Sequence, residues 1–120
     1  MQYMLLIYDD EQNIAGMDER DRGQLFEAYD AYTEDMRQKG AFVAGAALRP
    51  TSTATTVRER SGERLVTDGP FAETKEQLGG YYVVEADSID EALDWAGRIP
   101  SARLGSIEVR PVADMSGDSQ

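Results

Sequence analysis

Asp68-Gly-Pro-Phe-Ala-Glu-Thr-Lys-Glu76 decides how the rest of the chain is read, because it forces a sharp turn between two runs that both have the composition of β-strand. Gly69 can adopt backbone angles closed to other residues. Pro70 fixes its own φ and moves Gly69 out of the helical region, and Asp68 can bond the backbone amides ahead of it. Phe71 supplies an apolar anchor, with Glu73, Lys75 and Glu76 as charges just beyond it.

Upstream, Ala54 to Arg60 alternates about Val57 and Arg58, and Ser61-Gly62 forms a two-residue hairpin turn into Glu63 to Asp68. That turn sets Arg60 opposite Glu63 and Arg58 opposite Leu65. The register therefore argues against direct contact between Arg58 and Asp68 unless a bulge or the turn itself swings the carboxylate round. Before the hairpin, Ala41 to Leu48 reads as a strand of small residues ended by Pro50, with Thr51 to Thr53 as a loop. After the signature, Gly79-Gly80 leads into a strand over Tyr81 to Ala86, with Tyr81, Val83 and Glu85 on one face.

The ends supply the remaining elements. Residues 2 to 8 carry Tyr3, Leu5 and Ile7 on one face and Met4, Leu6 and Tyr8 on the other, so this strand is apolar on both sides and belongs at the centre of a covered sheet. Asp9 to Asn13 reads as an acidic loop. Asp18 caps a helix reaching Lys39, with Leu25, Tyr29, Tyr32 and Met36 as its core stripe, Phe26 beside it and Gly40 as its stop. Ser88 and Glu91 form a capping box for a second helix whose buried stripe is Ile89, Ala92, Leu93, Ala96 and Ile99, closed by Pro100. Gly105 to Val112 is the last strand. The domain spans 1–113, and 114–120 is a flexible tail.

The run from Asp68 through Gln77-Leu-Gly-Gly-Tyr-Tyr82 resembles the signature of the DGPF-type, YCII-related domain family. Met4 to Tyr8, Ala54 to Arg58, Glu91 to Ala96 and Ile107 to Pro111 resemble that family's other elements in order. The resemblance implies an α+β fold, a ferredoxin-like and mostly antiparallel sheet with two helices on one face, pairing into a dimeric α/β barrel. The order of elements agrees with the α+β class on its own. A sheet apolar on both faces but covered by one layer of helices independently predicts a homodimer.

Twenty-three acidic residues against 12 Lys and Arg give a net charge of −11, which speaks against nucleic acid and anionic membrane as partners. No cysteine and no histidine exclude disulfides, thiolate chemistry and the commonest base and metal ligand, so neither metal nor cofactor is expected. No apolar run is long enough for a signal peptide or membrane span, which predicts a cytoplasmic protein.

Alternation sends Glu108 and Arg110 to the face away from the helices, and with Val57 turned to the core it sends Arg58 there too, with Arg49 nearby. Arg58, Arg110 and Arg49, edged by Tyr8 or Tyr81, would suit a small anionic ligand, since guanidinium pairs with carboxylate. The plainer alternative is that Glu108 and Arg110 pair with charges on a neighbouring strand or across a dimer interface. Asp68 is the candidate general base, its alternative being a cap on the Gly69-Pro70 turn. Asp68, Arg58 and Arg110 are expected around one pocket or interface. Two functions follow: a small-molecule-binding or regulatory protein, for which the resemblance implies a link to an extracytoplasmic-function sigma factor system, or a cofactor-independent lyase, isomerase or dehydrochlorinase acting on an acidic or phenolic substrate. The enzymatic branches of the family rest on a histidine and aspartate pair, and this chain has no histidine.

Overall fold

The structure, a computed structural model, describes residues 1–115. Its main sheet has four strands, β1 (Gln2–Asp9), β2 (Phe42–Ala47), β5 (Gln77–Glu85) and β6 (Ser106–Pro111), in the order β2-β5-β1-β6 with every neighbour antiparallel. Between β2 and β5 the hairpin of β3 (Thr55–Arg60) and β4 (Glu63–Asp68) forms a separate two-stranded sheet. Helices α1 (Glu11–Ala15), α2 (Glu19–Gln38) and α3 (Ile89–Gly97) complete an α+β fold of ferredoxin-like strand order. Among the described residues no helix is long and apolar enough to cross a membrane.

The double-sided apolar character of β1 places it between β5 and β6. Tyr3, Leu5 and Ile7 are buried, whereas Met4, Leu6 and Tyr8 on the other face are half-buried. The helix-side core joins these to Tyr82 and Val84 of β5, Tyr32 and Met36 of α2, and Trp95 of α3. Tyr32 is the hinge of that core: its ring meets Tyr82 and Trp95 edge-on at 5.4 and 5.9 Å, and its hydroxyl donates to the Trp95 carbonyl at 2.7 Å.

α2 begins where the sequence places it, the Asp18 carboxylate accepting from the Asp21 amide at 2.8 Å, and it ends before Gly40, whose φ of +73° lies in the left-handed region. The hairpin register is also as expected, with Arg58 opposite Leu65 and Arg60 opposite Glu63, and the turn sits on positive φ at Ser61 and Gly62. That pair of angles is the two-residue turn matching strand twist.

Several expectations are corrected. The acidic stretch from Asp9 is not a loop: β1 continues through Asp9, and Asp10 caps α1 by accepting from the Gln12 amide at 2.9 Å, with Glu11 favourably placed at the positive end of the helix. Among the described residues the fold thus has three α-helices and not two. Thr51–Thr53 is a 3₁₀ turn, and β5 starts at Gln77, so Gly79 and Gly80 lie inside it. In α3 the buried side is Ala92, Trp95 and Ala96, with Ile99 beyond, while Ile89 and Leu93 are exposed, because the helix meets the sheet through the turn carrying Trp95. Pro100 does not close α3, which ends at Gly97, but opens a 3₁₀ turn over Pro100–Arg103. Residues 116–120 of the expected tail lie outside the described residues.

Candidate functional site

Strand alternation carries the face of Tyr3, Leu5 and Ile7 one step further, to Asp9 at the end of β1. There the β1–β5 register shifts between Ile7 and Tyr8, passing from Gly80 to Leu78, so Gly79 is the extra residue of a bulge. The Asp9 carboxylate lies beside it, 3.4 Å from where a β-carbon on Gly79 would stand.

Asp9 borders a cavity of about 550 Å³ between the sheet and α2, within the range of small-molecule sites. Ile7, Phe42 and Tyr82 form its floor, and Leu25, Phe26 and Tyr29 its wall. Gly45 and Gly80 keep the floor low. A β-carbon on Gly45 would meet the Tyr82 ring at 2.9 Å, and one on Gly80 would meet the Ala46 carbonyl oxygen at 2.8 Å.

The polar groups of the cavity fall into partnered and unpartnered sets. The Tyr29 hydroxyl is hydrogen-bonded to Ser101 Oγ, and Thr33 Oγ1 to the Tyr82 hydroxyl at 2.7 Å. Glu11 is anchored: its carboxylate accepts from the Thr51 amide at 2.7 Å and from Thr51 Oγ1 at 2.6 Å, tying α1 to the segment after β2. The Glu11 amide in turn donates to Gln77 Oε1 at 3.0 Å, and Glu76 accepts from Ser106 Oγ at 2.9 Å. The far end of the sequence signature thus braces the rim. At the mouth Arg37 lies over the Phe42 ring at 4.7 Å, and Arg22 donates to the Ala15 and Met17 carbonyls at 3.1 Å.

Asp9, by contrast, accepts no hydrogen bond from any described residue. Burial pushes its carboxyl above the ordinary carboxylate range, and the negative charges of Glu11, Glu76 and Asp10 push it further the same way. Burial likewise raises Tyr29, opposed by its bond to Ser101. A carboxyl group shifted toward neutrality, unpartnered and facing an apolar cavity is equipped to accept a hydrogen bond or a proton from a bound molecule.

The residues singled out from sequence fall elsewhere. The hairpin does not join the main sheet, so Val57 faces solvent at 61% exposure with no core beneath it, and Arg58 is not carried to the sheet's outer face. Arg58 instead donates to the Phe71 carbonyl at 3.4 Å, a long contact, while Thr56 Oγ1 donates to the Gly69 carbonyl at 2.8 Å. Asp68 is exposed opposite Thr55, and its carboxylate bonds neither its own turn nor Arg58; the turn is held by the Gly69 amide donating to the Ala54 carbonyl at 2.7 Å. Arg110 lies on the outer face opposite Met4, as alternation requires, and Tyr8 on the same face donates to Glu108 Oε1 at 3.4 Å. Arg49 is exposed beyond β2. Within one chain, then, Arg58 and Asp68 stand on the hairpin and Arg110 on the outer face of the main sheet. Of the six residues, Tyr81 alone borders the cavity. Sequence reading placed Asp9 in an acidic loop and so missed it, although it continues the period-two row 3, 5, 7; the Tyr29–Ser101 pair joins distant segments and leaves no local signal.

The pattern describing the YCII-related domain matches residues 1–116. An uncharacterized protein of Rhizobium meliloti (strain 1021) is 40% identical over 115 residues, covering 94% of this chain and 93% of its own. Among solved structures, 5-chloro-2-hydroxyhydroquinone dehydrochlorinase (TftG) from Burkholderia phenoliruptrix AC1100, in complex with 2,5-dihydroxybenzoquinone, superposes with a TM-score of 0.55 at 18% identity over 94% of each chain. That likeness is one of fold.

Proposed function

This chain belongs to the YCII-related domain family, and we propose that it binds a small, flat, largely apolar molecule bearing a hydroxyl group, in the cavity between α2 and the sheet. The observation that carries the reading is the Asp9 carboxylate, partly withdrawn from water at the edge of an apolar cavity without a protein partner. Withdrawing such a group costs free energy that a donor on the ligand recovers. The negative neighbours of Asp9 favour a donor there over an anion. An anionic substituent fits at the mouth, where Arg37 stands.

The raised pKa also favours a second reading, proton transfer. A carboxylate whose pKa moves toward the working pH is a better general base, so Asp9, and not Asp68, is the residue to which an elimination or isomerisation would be assigned. One solved structure of similar fold is a dehydrochlorinase in complex with 2,5-dihydroxybenzoquinone, a ring whose shape suits a cavity of this size.

Thermal unfolding in the presence of 2,5-dihydroxybenzoquinone, hydroquinone and catechol tests the binding. A ligand at a hundred times its Kd stabilises by about 2.7 kcal/mol, which raises the midpoint by roughly 10 °C in a domain of this size. The reading expects such a rise from at least one of them and its loss in Asp9→Asn. No rise from any probe, or an equal rise in Asp9→Asn, refutes it. Chloride release from chlorinated hydroquinones by the wild type but not by Asp9→Asn would support proton transfer as well.

A further inference from the structure

The cavity beside Asp9 is larger than one ring requires. A cavity of about 150 Å³ already holds a benzene ring, whereas this one measures about 550 Å³. Asp9 stands on β1, and β2 lies on the other side of β5 as the edge strand of the sheet. Neighbouring strands lie about 4.8 Å apart, so β2 is roughly 10 Å from β1. A single ring held at Asp9 lies over β5 and stops short of β2.

The space above β2 is apolar and open at the sheet edge. Ala46 and Ala47 line the cavity yet are exposed, and they form a low sill because neither carries a side chain past the β-carbon. Phe26 of α2 and Leu48 just past β2 also line the cavity and are 64% and 48% exposed, while Arg37 stands at the Phe42 end of the strand. Leu48 is held level with the Asp9 end: its amide donates to the Gly79 carbonyl at 2.9 Å, and Gly79 lies beside the Asp9 carboxylate. Large apolar side chains left in water at the rim of a cavity mark a surface that a ligand covers.

We propose that the ligand is an amphiphile, a hydroxylated ring at Asp9 bearing an unbranched aliphatic arm that crosses the sill of Ala46 and Ala47 and leaves the cavity between Phe26 and Leu48. This rests on Asp9 and its cavity being the binding site, and adds the class of molecule that the site takes. The arm fills the volume that one ring leaves open and covers the two side chains that one ring leaves in water. Each methylene as far as the rim therefore moves from water onto apolar surface, and those beyond the rim contribute little. The small residues of β2 let the arm pass close to the backbone.

Titration calorimetry of the full chain with 4-methoxyphenol and 4-butoxyphenol tests the proposal. A buried methylene is worth about fourfold in affinity, so the three extra methylenes of 4-butoxyphenol should tighten binding roughly 60-fold in the wild type. In the double variant Phe26→Ser with Leu48→Ser, at two exposed positions where the circular-dichroism signal should be kept, that ratio should fall below about tenfold. Methyl NMR on the wild type gives a reading that needs no variant: 4-butoxyphenol should shift Leu48 and 4-methoxyphenol should not. If 4-methoxyphenol binds and Asp9→Asn loses it, then a ratio near unity, an undiminished ratio in the double variant or an unmoved Leu48 overturns the arm and leaves Asp9 as the binding site. If the wild type binds neither phenol, or Asp9→Asn binds both equally well, the site and the arm are overturned together.

Discussion

Gly105 stands where the approach to β6 passes the end of β1, and replacing it by alanine should damage both stability and the candidate site. A β-carbon there would lie 2.1 Å from the Tyr8 carbonyl oxygen and 3.0 Å from Asp9 Cα. Since ordinary contact begins near 3.4 Å, the gap is short by about 1.3 Å, and both obstacles are backbone that no rotamer change can clear. Overpacking costs about 1–3 kcal/mol, and a backbone-to-backbone clash belongs at the upper end. At roughly 4 °C per kcal/mol the unfolding midpoint should fall by about 12 °C. Gly23 provides the opposite case. It lies inside α2 with no atom within 4 Å of an added β-carbon, so Gly23→Ala should stabilise by about 1 kcal/mol and raise the midpoint by roughly 4 °C. Both midpoints are read by circular dichroism. The reasoning fails if Gly105→Ala leaves the midpoint unchanged or raised, or if the two substitutions share a sign.

Trp95→Ala should cost about 3–5 kcal/mol in denaturant unfolding, whereas Leu93→Ala on the exposed side of α3 should stay within about 0.5 kcal/mol. Thr51→Val deletes the hydroxyl bond to Glu11 while keeping the amide bond, and should cost about 1 kcal/mol, with faster hydrogen exchange in α1. For Asp9 the sign follows from its raised pKa. The native state holds the proton more tightly than the unfolded chain does, so this group's contribution to stability is fully present below the unfolded value of about 3.9 and is lost as pH rises through the native value. Asp9→Asn should accordingly melt above the wild type at neutral pH, with the difference closing toward pH 4; a difference that widened on acidification would contradict the assignment.

Local signals were read correctly where local chemistry decides the outcome. Asp18 with the stripe ending at Met36, the Ser61-Gly62 turn and the two-sided β1 each fixed an element, and together they give the α+β sheet. What sequence could not convey is where an element goes once formed. Val57 alternates as a core residue should, yet its hairpin forms a sheet of its own, so Arg58 and Asp68 stand on that hairpin and not on the outer face of the main sheet. The Trp95 face of α3 was misjudged because Ile89 and Leu93 are as apolar as the residues that are buried. Asp9 was hidden by its acidic neighbours: a run of charges reads as a loop, although the alternation of β1 already carried it to the helix side.

The most direct test of Asp9 and its cavity as the binding site is a methyl NMR titration with 2,5-dihydroxybenzoquinone, because the sheet carries methyl groups on both faces. The account predicts shifts at Ile7, Ile14 and Leu25, which line the cavity, with Leu6 and Val83 on the outer face unmoved, and a much weaker response in Asp9→Asn. Shifts confined to Leu6 and Val83, or an undiminished response in Asp9→Asn, would contradict it.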